Sequence, residues 1–342
     1  MRIFYAIGNP LTAFVTLALL AGCSGGSQMA STPLLQHQSG GFQLAWQRAL
    51  QDGGGTITRR SFISPNAIGK RLIFVPDIDN VVGIYLQSKG NAQVGQILGD
   101  VYVPNSVETD SAGNLYVASG ASQTVPVFAP PYTKAPKAIL FDTGYAPTDV
   151  AVSSSGMIAV ANYPTSVTFY RKNSTKPCAT VTDPSFSGSL HAAAFDHEGN
   201  LYVQGGQNGS NSFSVIGEIV GGCKATSLQV LTTSNTLGGP GGIKVDKQGR
   251  IAIGDQKAAA IFAYNPPTSG SLGSPVTTTL LQATPSLQNF AFVASGRDLY
   301  TADFNKTVAE YVYPAGGAPI DSFVSFSQAT ISGVAVTPPL VP

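Results

Sequence analysis

Apolar and polar residues along this chain alternate in short runs, not at helical spacing. LYVAS (115–119), TVPVFAP (124–130) and KAILFD (137–142) are separated by clusters of Gly, Asn, Ser and Pro. Runs of this length bounded by turn residues predict strands. In the unit that contains them, SVETD (106–110) supplies a first strand, DSAG a tight turn, and the three runs the second, third and fourth strands. FQLAWQRAL (42–50) has apolar residues at helical spacing and holds the sole Trp, and reads as a short helix or an irregular arm.

The unit recurs. DSAGNLYVAS (110–119) returns as DHEGNLYVQG (196–205) and DKQGRIAIGD (246–255), with looser copies SSSGMIAVAN (153–162) and VASGRDLYTAD (293–303). Measured on the turn glycines Gly113, Gly156, Gly199, Gly249 and Gly296, the intervals are 43, 43, 50 and 47 residues. Such a period with several strands per unit predicts a β-propeller. Asp accepts backbone N–H groups across the turn and Gly supplies positive φ, so the DxxG letters read as punctuation for a hairpin. KRLIFVPDIDNVVGIY (70–85) matches only the later part of a unit, and ISGVAVTPPL (331–340) only the earlier part. The two halves complete a sixth unit. The expectation is an all-β, six-bladed propeller with four-stranded antiparallel blades, its ring closed by residues 331–337 pairing with residues 71–76.

Composition then narrows the partners. Charged residues are 11% of the chain, against about 25% in soluble domains, and the net charge is +1. No basic face is available for phosphate, so nucleic acid is not an expected partner. Arg2, an apolar run and Leu20-Ala21-Gly22-Cys23 resemble a bacterial lipobox, in which the Cys carries the lipid. This divides the chain into a signal peptide (1–22), a tether and arm (23–60) and the propeller (61–342). It implies export to the cell envelope with acylated Cys23, palmitate included, as the only membrane attachment. Cys178 and Cys223 lie 45 residues apart, at matching points of neighbouring units. Matching points on outer strands splay apart, which favours two free, partly buried thiols over a bridge.

Pro-x-x-V-x-x-D-x-x-G-N-L-Y-V-A-[DS], at Pro104–Ser119, resembles the NHL-repeat propellers, as does LYTADFNKTVAEY (299–311). The resemblance spans about residues 62–340 and implies the fold, while that family's activities are diverse. Two related enzyme types give tests. In gluconolactonase-like propellers, Glu, Asn and Asp side chains at the start of the innermost strands hold a divalent cation. The matching positions here are Asn105, Thr148, His191, Gly241, Gln288 and Ser332. Only Asn105 matches that ligand set. Calcium held by neutral groups alone would bind weakly, so no metal or other cofactor is expected and no catalytic residue is assigned. In the streptogramin-lyase type, His and Glu from adjacent blades act as acid and base. His37 falls in the tether, His197 in a turn on the opposite face, and His191 alone faces the channel mouth.

A second ring follows strand two: Asp77, Ser119, Asn162, Gly205, Asp255 and Asp303. Short polar residues there cap loops, or else form a mildly acidic surface for a cation, a sugar or a partner loop. The sequence therefore favours a non-enzymatic, anchored module that binds a protein, peptide or glycan at the channel mouth. The alternative is a divergent metal-dependent hydrolase or lyase using Asn105 and His191.

Overall fold

The structure, a computed structural model, describes residues 61–341 apart from 143, 187–189, 208–209 and 327–329. The lipobox, Cys23, His37 and the segment 42–50 lie outside the described residues.

Six sheets follow one another around a ring, each with four antiparallel strands at its centre, which in blades two to six run outward in chain order. The innermost strands of blades two to six are Pro104–Thr109, Ala146–Val152, Leu190–Phe195, Pro240–Val245 and Leu287–Phe292. In blade one the innermost strand comes from the far end of the chain. Ala335–Thr337 pairs with Leu72–Phe74, and an isolated bridge joins Asp77 to Ile331. The expected closure is therefore present in the expected register. Gln87 reinforces it by donating Nε2 to the carbonyls of Leu72 and Thr337, and the Thr109 hydroxyl ties Val336 to blade two.

The blades are not identical. Blade one gains a short fifth strand, Phe62–Ile63, on its outer edge. Blade four gains Ser271–Gly273, which leaves blade five to pair in parallel with Gln229–Thr233. Both additions cover an outer edge that would otherwise offer free backbone groups. The 50-residue interval has a local cause: the third strand of blade four, Ser210–Ile219, is ten residues long and leads into a short turn of 3-10 helix, Gly222–Lys224.

The core is divided among the blade interfaces. Phe74, Ile84, Val107 and Val117 pack between blades one and two, and Val127, Val150 and Tyr170 between two and three. Phe169, Phe186 and Leu201 fill the next interface, and Ile216, Ile243 and Tyr264 the one after. Ile261, Phe290 and Tyr311 pack between five and six, and Tyr85, Tyr300 and Val336 between six and one. Each strand thus needs apolar residues on both faces, which explains why runs such as LYVAS are apolar throughout.

Turn chemistry follows the repeating letters. Asp110 Oδ1 accepts the amides of Ala112 and Asn114, and its Oδ2 accepts the Asn114 side chain and the Tyr116 hydroxyl. Asp196 and Asp246 repeat this with Asn200, Tyr202, Arg250 and Tyr313. The glycine that closes the turn has φ of 79° at Gly113 and 85° at Gly199, where a side chain would be strained.

Cys178 and Cys223 form a disulfide with Cα atoms 5.2 Å apart, which corrects the expectation of free thiols. That expectation placed both cysteines on outer strands. Cys178 is on the outermost strand of blade three, but Cys223 lies in the 3-10 turn after the long strand of blade four. Gly221 and Gly222, both at positive φ, turn this segment back against blade three.

Candidate functional site

Each innermost strand carries an irregularity at the same height. In blade two Pro104 pairs with Ser119 and Ser106 with Ala118, leaving Asn105 as an extra residue. Thr148, His191 and Gln288 occupy the same place in blades three, four and six. In blade five the irregular stretch is Gly241-Gly242, and in blade one Ser332 falls between the paired residues Ile331 and Ala335. A β-bulge bends its strand and re-aims the extra side chain. Asn105, Thr148, His191, Gln288 and Ser332 are half-buried between buried neighbours, so the bulge turns each of them out of the packed layer. The ring read from the sequence is a ring of bulges.

Several members also fasten adjacent blades. Asn105 donates Nδ2 to the Pro147 carbonyl of blade three at 2.7 Å, and Ser332 its hydroxyl to Pro104 of blade two at 3.3 Å. A Cβ on Gly120 would lie 2.5 Å from Asn105 Nδ2, so this approach requires glycine. Thr148 donates to Ala161 within its own blade, and Gln288 reaches the Ser286 carbonyl.

The second ring lies directly opposite. Asp77, Ser119, Asn162, Gly205, Asp255 and Asp303 pair with the residue that precedes each bulge. All are buried, and Asp77, Asp255 and Asp303 accept amides of the loops at this face. Asp255 accepts the amides of Gly238 and Ala258 at 2.7 and 2.8 Å, and Asp303 those of Ser286 and Asn305 at 2.7 Å each. Asp77 accepts the Asp79 amide at 3.0 Å. Asn162 donates to Val160, Ser166 and Thr168.

Deeper in the channel is a polar belt that sequence reading did not single out. Gln204 of blade four accepts the Gly242 amide of blade five and donates to Gly254. A Cβ on Gly242 would lie 2.7 Å from Asn289 Oδ1, so blade six comes close at this point. Asn289 donates to the Ser106 hydroxyl of blade two. Gly333 of blade one lies against Ser106, where a Cβ would meet its Cα at 3.0 Å. In blade three Asp149 Oδ2 accepts the Ala193 amide of blade four at 2.9 Å. Every blade contributes a residue at this level.

Two residues further along the same strands, Glu108 of blade two meets Lys244 of blade five across the axis, Oε2 to Nζ at 2.5 Å. The charges are nearly out of solvent, at 18% and 11% side-chain exposure. Burial opposes ionisation of Lys244, but Glu108 and then Asp149 outweigh it, and the ammonium is held above its ordinary value. Burial raises the Asp149 carboxyl despite the attraction of Lys244. Charged letters inside otherwise apolar innermost strands (the Glu of NSVETD, the Asp of PTDVAV, the Lys of GGIKVD) were the available signal. Such positions are buried on both sides, so a charge there needs a partner. His197 is exposed in the Asp196 turn, on the face opposite the bulges.

No family model matches the chain, and no curated protein matches it. Solved structures do, 1519 chains in all, too many and too general to point to one activity. One is a protein of unknown function from Bacteroides caccae, 12% identical, with a TM-score of 0.58 over 78% of this chain and 99% of that one. At this identity the likeness shows the fold. The class is that of the six-bladed β-propellers with a polar, ion-paired channel.

Proposed function

We propose that the chain is a lipid-anchored binding module of the cell envelope, resembling NHL-type propellers, that takes a protein, peptide or glycan at the bulged mouth of its channel. The observation that supports this reading most is the shared height of the six irregularities, which brings the amide, hydroxyl and imidazole side chains of Asn105, Thr148, His191, Gln288 and Ser332 to one end of the innermost strands. These groups orient a ligand by hydrogen bonds. Gln204, Ser106 and Asn289 in the belt below them are engaged within the protein, so recognition at this mouth rests on the bulge side chains and the loops around them.

A metal-dependent hydrolase of the gluconolactonase type is the competing reading. It needs converging carboxylates at this mouth, and among the described residues no three His, Cys, Asp or Glu side chains are grouped to hold an ion. The test compares wild type with the double variant Asn105→Ala/His191→Ala on immobilised envelope glycans and peptides. Selective capture lost in the variant, with the fold intact, supports the binding module. Calcium-dependent lactone hydrolysis by wild type, lost in the variant, would replace it with the enzyme.

A further inference from the structure

At the face of the DxxG turns the channel widens into a cavity of about 70 Å³. A single water needs roughly 10–15 Å³ by the same measure, so there is room for several waters or a ligand of a few heavy atoms. The polar belt lies between this cavity and the bulged mouth, because Ser106, Asp149 and Asn289 precede Glu108, Ala151 and Ala291 by two residues on their strands. The two ends of the channel are therefore separate sites. The walls combine Ala151, Ala194, Ala291 and Val336 with the larger Phe195 and Phe292, and serines of the turns line the outer part. Leu340 adds a wall from the closing segment, its amide donating to the Phe292 carbonyl. Three charged residues line it: Glu108 and Lys244, which pair with each other, and Asp110, whose oxygens are engaged in its own turn.

We propose that this cavity binds a small zwitterion of the α-amino-acid type, its carboxylate on the Lys244 ammonium and its ammonium on Glu108. Charge compensation in a poorly solvated place sets the ligand class. A simple anion that draws Lys244 away leaves Glu108 as an uncompensated buried carboxylate. A simple cation on Glu108 takes from Lys244 its hydrogen-bonded partner and leaves it Asp149 alone. Losing one partner of a buried pair is expensive, so both are rejected. A ligand that carries both charges replaces each lost contact with an equivalent one. A volume of about 70 Å³ accommodates a few heavy atoms and not a long side chain, which selects glycine or alanine. Asp149 lies behind Lys244 and keeps it protonated during the exchange.

The experiment is calorimetric titration of the purified full chain with glycine, L-alanine, L-leucine, acetate and methylammonium. Saturable binding of glycine and alanine is expected, with each of the other three at least about tenfold weaker. Ala291→Val fills the cavity from its wall without touching the charges, and is expected to weaken glycine at least about tenfold while the protein stays folded. Glu108→Gln should do the same, and Asn105→Ala/His191→Ala at the other mouth should leave glycine binding unchanged. Absence of saturable glycine or alanine binding at millimolar ligand overturns the proposal. So does acetate, methylammonium or leucine binding as tightly as glycine, or full glycine affinity in a folded Ala291→Val protein.

Discussion

Glu108 and Lys244 sit on opposite blades of the ring and join across its axis, separated by 136 residues in the chain. Asp149 adds a second carboxylate beside the ammonium. The arrangement makes the three positions unequal. Lys244→Met leaves two buried carboxylates facing one another and should cost about 3–5 kcal/mol. Glu108→Gln leaves Lys244 still facing Asp149 and should cost less, about 1–3 kcal/mol. Urea unfolding of the two variants checks the order, and equal losses would mean that Asp149 does not share the ammonium.

Acidity should act on the same cluster with an unusual sign. The Asp149 carboxyl is raised by burial, so the folded protein holds its proton more tightly than the unfolded chain does. Its contribution to stability is fully present below the ordinary carboxylate pKa and is lost as pH rises from there through the folded value. Asp142 and Glu310, also raised by burial, contribute with the same sign. Asp149→Asn should reduce this decline without abolishing it. Denaturation midpoints across mildly acidic pH measure the slope, and an identical slope in the variant refutes the assignment.

Ring closure predicts a large effect from a small deletion. Removing residues 331–342 unpairs Leu72, Ile73 and Phe74 and uncovers the interface between blades six and one. The loss should be several kcal/mol, as for other core-opening changes. A thermal midpoint equal to wild type would be incompatible with this closure.

Reducing the Cys178–Cys223 bridge, or replacing both residues with Ser, should destabilise the protein. For a loop of 45 residues the chain-entropy treatment gives about 4 kcal/mol as an upper figure. Native packing between blades three and four will hold much of the loop in place, so folding should survive. Denaturation with and without reductant measures the difference.

Cys23→Ser should release the protein from membranes or leave its precursor uncleaved, as acylation at Leu20-Ala21-Gly22-Cys23 requires. Fractionation and migration like wild type would remove the anchor from the proposed function.

Blade number, turn chemistry and closing strand were all written locally. Alternation, DxxG spacing and two complementary half units are properties of short windows, and strand pairing within a blade follows from them. That Thr337 faces Leu72 could be read because both halves align to the same unit. The bulge ring was legible as positions but not as bulges, since an extra residue shows only when two strands are laid side by side. What lies between blades was not legible. The partnership of Cys178 with Cys223 depended on where a ten-residue strand and two left-handed glycines carry one turn. The meeting of Glu108 with Lys244 depended on which blades face each other once the ring closes. Periodicity along a chain specifies which residues share a strand face; the distance between strands remote in sequence is set by the angle at which whole blades pack, and only the assembled ring decides it.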